Sequence, residues 1–162
     1  VALLAPHASL LHGEKGLKTL KTHVKEALRS DEERVEAEDR AGPIPADWPF
    51  FALTRGQTAV VVGGDPRPRA VQRIQRAFGF ESVTWDPIDP RRVAALAERI
   101  RSGSDRAGFV ILLRRFIGHD TQEALMPACS EAGVPIVVVD TGYGVTQIKL
   151  AVERYLAGKV DA

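Results

Sequence analysis

The sequence predicts an α/β protein with a four-stranded, all-parallel sheet in the order 2-1-3-4 and helices on both faces. Four short apolar runs, each followed by a helical pattern, fill residues 58–157. This alternation is typical of a parallel sheet covered by crossover helices. The turns between the runs are short, which allows only right-handed crossovers. The first strand is expected to be central because residues 59–62 are continuously apolar.

Glycine and proline mark the ends of the predicted elements. Strands are expected at residues 58–62, 82–85, 108–113 and 135–140, and helices at residues 69–78, 91–102, 119–132 and 145–157. Gly79 stops the first of these helices, and Pro87 and Pro90 bracket the turn before the second. Gly133 ends the third helix, and Pro135 opens the last strand. The α/β domain is therefore predicted to span residues 57–162.

Two different segments precede this domain. Residues 1–40 are expected to be a helical extension, because a thin apolar stripe runs through a stretch that is otherwise mostly charged. Its helix, at about residues 15–39, would pack on its own domain, on a protein partner or on a second copy in a homo-oligomer. Residues 41–56 hold three prolines and three aromatic residues. They predict an extended linker, because proline disfavours a helix, with its rings laid against the following domain.

Composition excludes several classes of protein. The net charge of +1 favours neither nucleic acid nor membrane, and no apolar run approaches the roughly 18 residues that span a bilayer. The apolar start lacks a basic segment, which argues against a signal peptide and makes the cytoplasm the expected location. The single cysteine, Cys129, excludes a disulfide framework and a multi-cysteine zinc site. Its position in the third predicted helix indicates a small core residue.

A ligand site is expected at one edge of the sheet, because open parallel sheets bind ligands beyond the carboxyl ends of their strands. Glycines there allow close approach of the backbone, arginines bind anions, and a histidine can donate a hydrogen bond or act as a general acid or base. The candidate ligand-binding residues are Gly63, Gly64, Arg67, Arg114, Arg115, His119, Thr141, Gly142, Tyr143, Gly144 and Thr146. No metal site is expected, because no second histidine lies near His119, and the cofactor is left open.

Each candidate also has a structural explanation. The paired glycines suit a simple tight turn, and Asp120 could cap the third helix beside a surface His119. An arginine at the end of the third strand could pair with Asp65 or Asp120, and the loop at residues 140–146 could be a simple tight turn. If that loop binds a ligand instead, Tyr143 could stack on a base. Neither a G-x-G-x-x-G nor a P-loop motif is present. A second cationic row, on the first helix of the domain, would suit nucleic acid; it consists of Arg69, Arg73 and Arg76.

Residues of about 58–152 resemble the bacterial family catalogued as domain of unknown function 2325. The matching features are residues 61–64 after the first strand, Phe78-Gly79 before the second, the apolar third strand leading to His119, residues 133–135, and the glycine turn at residues 142–144. The resemblance implies a small Rossmann-like sheet and no established activity. The third strand of the family usually ends in more acidic or polar residues than Arg114-Arg115.

Three functions remain as hypotheses. The leading one is a non-catalytic regulatory or ligand-sensing module that binds an anionic small molecule, with a nucleotide as the first candidate. The alternative is a protein-interaction or nucleic-acid-binding subunit of a larger bacterial assembly that docks through its N-terminal helix. An enzyme acting through His119 is the weakest hypothesis, because no paired carboxylates or metal ligands accompany the histidine. We therefore assign no catalytic residue.

Overall fold

The computed structural model describes residues 44–160, which contain a four-stranded parallel sheet. The strands are β1 (Thr58–Val62), β2 (Ser82–Asp86), β3 (Phe109–Leu113) and β4 (Ile136–Val139). All three neighbouring pairs are parallel, and the order is β2-β1-β3-β4. The predicted α/β class and strand order are confirmed. The predicted extension at residues 1–40, with its helix at residues 15–39, lies outside the described residues.

Five α-helices accompany the sheet in this part of the chain. They are α1 (Phe51–Thr54), α2 (Pro68–Phe78), α3 (Val93–Arg101), α4 (His119–Glu131) and α5 (Val145–Val160). Two short 3-10 turns precede helices: Pro90–Arg92 before α3 and Arg114–Phe116 before α4. The first of these turns replaces the start of the helix predicted at residues 91–102. Its local cause is Asp89, whose side chain accepts a hydrogen bond from the Arg91 amide.

The two faces of the sheet are covered by different helix pairs. On one face, even-numbered residues of β1 and β3 pack with α3 and α4 in a buried core that includes Val62, Leu112, Leu96 and Leu125. Helices α2 and α5 contact each other and the sheet on its other side. Cys129 belongs to the first core and is fully buried, as the sequence predicts. This arrangement is a Rossmann-like three-layer fold.

The aromatic residues of the segment before β1 pack on the domain. Trp48 is 6% exposed, and its ring meets Phe78 of α2 edge-on at 5.7 Å between centroids. Its Nε1 donates a hydrogen bond of 3.0 Å to Glu153 of α5. The expectation of a helix-free, extended segment is wrong at Phe51–Thr54, which form α1. Pro49 lies before this helix and so removes none of its internal hydrogen bonds.

Candidate functional site

The carboxyl edge of the sheet brings together three chain segments. They are Gly63-Gly64 after β1, the 3-10 turn after β3, and the loop at residues 140–144 after β4. Gly63 and Gly64 adopt φ values of +98° and +69°, which side chains rarely tolerate. The Gly63 amide donates to the Asp86 carbonyl at 2.9 Å, and its own carbonyl accepts from Trp85 Nε1 at 2.8 Å. The glycine turn is therefore fixed against the end of β2.

The space above the two glycines is filled by the chain itself. A Cβ atom on Gly63 would lie 2.7 Å from Cγ2 of Ile117, and one on Gly64 would lie 3.3 Å from the ring of Phe116. The 3-10 turn thus packs onto the glycine turn. The two glycines let Phe116 and Ile117 approach the backbone closely. This favours the explanation that Gly63 and Gly64 form a structural turn and do not bind a ligand.

Tyr143 and Arg67 form another part of the same edge. The Tyr143 ring is 7% exposed and meets Trp85 edge-on at 5.5 Å between centroids. The Arg67 guanidinium carbon lies 5.7 Å from the Tyr143 ring centroid, within cation–π range. Because the ring is buried, it offers no open face for the stacked base that the sequence suggested.

Arg114 is held by an acidic partner that the sequence did not identify. Its NH1 lies 3.3 Å from Oδ1 of Asp140, whose Oδ2 lies 3.2 Å from NH1 of Arg154. The pairing with Asp65 or Asp120 considered from the sequence is therefore replaced by Asp140. Hydrogen bonds from Arg114, and then from Arg154, hold the pKa of Asp140 below its ordinary value. All three side chains are about half exposed, so the pairs contribute little to stability.

Arg115 and His119 have a different environment. Both side chains are exposed, and neither makes an ion pair or side-chain hydrogen bond within residues 44–160. His119 is the first residue of α4, and the N-cap residue Gly118 provides no side-chain hydrogen bond to the helix. Asp120 lies in the first turn and does not occupy the N-cap position suggested for it. Within residues 44–160, no side chain caps the positive end of α4, and the two basic side chains lie next to it along the chain.

The loop before α5 makes two hydrogen bonds with the first turns of that helix. Gly142 has φ +72°, and the Thr141 hydroxyl donates to the side-chain oxygen of Gln147 at 3.3 Å. Gly144 is buried, and its carbonyl accepts from the Ile148 amide. Thr146 is half-buried in the first turn of α5. Thr141 is therefore the exposed hydroxyl of this loop among the candidate residues.

The predicted cationic row on α2 is uneven. Arg69 and Arg76 are exposed, whereas Arg73 is half-buried. Arg76 also donates from Nε to the Gln72 carbonyl at 3.3 Å, along its own helix. The two exposed arginines lie at opposite ends of α2, which separates them along the helix axis. This face offers fewer free cations to nucleic acid than the spacing suggested.

A cleft that the sequence did not predict lies between β2 and α3, and we call it the β2–α3 cleft. Its volume is about 360 Å³. Among its lining residues are Val60, Asp86, Arg92, Leu96, Arg99 and Asp105. These residues come from β1, β2, the 3-10 turn before α3, α3 itself and the chain after α3, so no local motif marks the cleft. The signal that could have drawn attention to it is Asp86, an acidic residue directly after the second predicted strand.

In the described part of the chain, residues 44–160, every helix is too short or too polar to span a bilayer. No three His, Cys, Asp or Glu side chains there cluster in a way that could hold a metal ion.

No protein-family model matches the chain, and no curated protein matches it either. A comparison with solved structures finds similarity to a mutant structure of a laminin-binding adhesin from Streptococcus agalactiae. The identity is 14%, the match covers 90% of this chain and 52% of the adhesin, and the TM-score is 0.35. The chain thus spans about half the length of that protein. The fold assignment rests on the sheet topology and not on this likeness.

Proposed function

We propose that this protein is a non-catalytic regulatory module that binds a phosphate-bearing small molecule, with a nucleotide as first candidate, at the carboxyl edge of its sheet. The observation that carries the proposal is the start of α4, which no side chain within residues 44–160 caps, next to Arg115 and His119 along the chain. Free helix amides and the helix dipole favour an anion there. The two side chains add charge-assisted donors, the histidine when it is protonated.

The arginines at this edge are expected to contribute unequally. Arg115 is available to an anion, whereas Arg114 shares Asp140 with Arg154. Arg67 sits over Tyr143 and could turn outward only by leaving that ring. Asp120, in the first turn of α4, opposes a bound anion and limits its affinity. A ligand would therefore engage Arg115 and His119 first.

We leave catalysis out of this proposal because the sequence offers no paired carboxylates or metal ligands to accompany His119. Within the described residues no side chain orients the imidazole by a hydrogen bond. General acid–base catalysis depends on a positioned group, and a histidine that no partner orients is poorly suited to it. Anion binding requires only hydrogen-bond donors and positive charge, and it depends less on the exact orientation of the imidazole than catalysis does.

The proposal is tested by titrating the full chain with adenosine triphosphate, inorganic tripolyphosphate and adenosine in a calorimeter. We expect binding of the two phosphate compounds, weakened about tenfold by Arg115→Ala. Arg114→Ala should have a smaller effect. Arg76→Ala is the matched control. Arg76 lies near the C-terminal end of α2, away from the carboxyl edge of the sheet, so this variant should leave binding unchanged.

Three results would count against this proposal. Absence of phosphate binding would remove it, and binding unchanged in both Arg115→Ala and His119→Gln would move the anion elsewhere. Salt-steep binding of a short oligonucleotide that is lost with Arg69→Ala and Arg76→Ala would instead make α2 a nucleic-acid surface. Each titration is therefore performed at two salt concentrations.

A further inference from the structure

The β2–α3 cleft is a second concave feature, with a lining different from that of the carboxyl edge. Its volume of about 360 Å³ falls near the lower end of small-molecule sites. Val60 of β1 and Leu96 of α3 contribute apolar lining, and both belong to the buried core between the sheet and α3. A ligand there would rest a small apolar group against the small exposed parts of these two side chains, which are 4% and 1% exposed.

Three charged side chains that contact one another line the same cleft: Arg99, Asp86 and Asp105. Nε of Arg99 lies 2.8 Å from Oδ1 of Asp105, and its NH2 lies 3.7 Å from Oδ2 of Asp86. Oδ1 of Asp86 accepts a hydrogen bond from the Ile88 amide at 3.0 Å. Arg99 is therefore held by the protein itself. Each carboxylate oxygen has two lone pairs, so Oδ2 of Asp86 and Oδ2 of Asp105 can still accept a hydrogen bond from a ligand.

Arg92 is the fourth charged residue of the lining, and unlike Arg99 it is not paired with an aspartate of the cleft. It is exposed at the end of the 3-10 turn before α3, and it forms no ion pair within residues 44–160. Two arginines and two aspartates thus line the cleft, and their formal charges cancel. Such a lining gives no net attraction to a simple anion or a simple cation. It suits a ligand that carries both charges.

We propose that the β2–α3 cleft binds a small zwitterion of the amino-acid class with an aliphatic side chain. The ligand carboxylate pairs with Arg92, and its ammonium group donates to Asp86 and Asp105. The aliphatic side chain packs against Val60 and Leu96. This inference is independent of phosphate binding at the carboxyl edge.

The first test uses ligands that differ by one charged group. Calorimetric titrations of the full chain compare leucine with 3-methylbutylamine, which lacks the carboxylate, and with 4-methylpentanoate, which lacks the ammonium group. Valine and isoleucine test the apolar part. We expect saturable binding of at least one of the three amino acids, and binding of both leucine analogues that is weaker by about tenfold or more.

The second test locates the binding on the protein. Arg92→Gln and Asp105→Asn should each weaken amino-acid binding by about tenfold, while Arg91→Gln, in the same 3-10 turn and also exposed, should not. Arg115→Ala should leave it unchanged, which separates this site from phosphate binding. No binding of any of the three amino acids would overturn the proposal. Equal binding of leucine and its analogues, or binding unaffected by both cleft variants, would do the same.

Discussion

The side chain of Ile117 occupies the space that a Cβ atom on Gly63 would need, with only 2.7 Å between Cγ2 and that position. Ile117 follows the 3-10 turn after β3, whereas Gly63 ends β1, the neighbouring strand. The glycine is therefore required by the packing of two adjacent strand ends. Its left-handed backbone, at φ +98°, adds a second reason for glycine at this position.

Gly63→Ala is expected to lower the free energy of unfolding by about 2–4 kcal/mol, because backbone strain and overpacking add together. Urea denaturation followed by circular dichroism measures this change. Gly103→Ala is the matched control, since Gly103 has φ +72° but nothing within 4 Å of its Cβ position. It should cost only about 1 kcal/mol. Equal losses for both variants would show that Ile117 does not constrain the turn.

Trp48 is expected to anchor residues 44–50 to the domain. Its ring makes edge contacts with Phe50, Phe51 and Phe78, and its Nε1 bonds to Glu153. Trp48→Ala should destabilise the protein by about 3–5 kcal/mol, as for a buried aromatic residue. Trp48→Phe keeps a ring but loses the hydrogen bond and should cost about 1–2 kcal/mol. A stability unchanged in Trp48→Ala would mean that the domain folds without this segment.

Cys129 is expected to resist thiol reagents in the folded protein. Burial raises the pKa of its thiol to about 11, so little thiolate exists at pH 8. In the unfolded chain the thiol has an ordinary pKa of about 8.5. Ionisation therefore favours the unfolded chain as the pH rises from about 8.5 to 11, and stability declines in that window.

Reaction with a disulfide reagent at pH 8, with and without denaturant, measures the first effect. We expect rapid labelling only in denaturant. Denaturation midpoints of wild type and Cys129→Ala across pH 8–11 test the second effect, and only the wild type should lose this component. Fast labelling of the folded protein would contradict the buried position of the thiol.

The fold could be predicted because its signals are local. The first strand was assigned at its observed bounds, Thr58–Val62, since an apolar run ends there at two glycines. The end of α2 was also predicted from Gly79. The structure agrees, because the helix ends at Phe78 and Gly79 takes the left-handed conformation at its C-cap. Helix α1 has no clear signal in the sequence, because three prolines lie close before it and disfavour a helix, although the last of them, Pro49, precedes its first residue.

The site was harder to predict because its contacts join distant residues. Parallel topology predicted that Arg114 and Asp140 would both lie at the carboxyl edge, because they follow the neighbouring strands β3 and β4, but it did not predict that their side chains would pair. The packing of Phe116 on Gly64 likewise depends on which way a 3-10 turn folds back. The β2–α3 cleft requires Asp86, Arg99 and Asp105 to converge from separate elements. Side-chain pairing of this kind is determined by tertiary packing and produces no periodic pattern in the amino-acid sequence.

Asp140 is expected to restrain anion binding at the carboxyl edge by holding Arg114 and Arg154. Because the pKa of Asp140 lies below its ordinary value, this carboxylate is ionised throughout the neutral pH range, and the restraint on Arg114 and Arg154 is present there. The stabilisation from its pairs would be lost only as the pH falls through that depressed pKa. The half-exposed positions limit it to roughly 0–1 kcal/mol. Asp140→Asn should therefore fold normally at pH 7.

Asp140→Asn is expected to tighten tripolyphosphate binding about three- to tenfold at low salt, because it removes one negative charge and releases Arg114. Calorimetry at two salt concentrations measures the change, which should shrink at the higher one. Adding Arg114→Ala to this variant should reverse most of the gain. Glu98→Gln makes the same change in charge at a pair with Arg101 on α3 and should leave affinity unchanged. Affinity that is unchanged or weaker in Asp140→Asn would show that Arg114, once released, does not reach the bound anion.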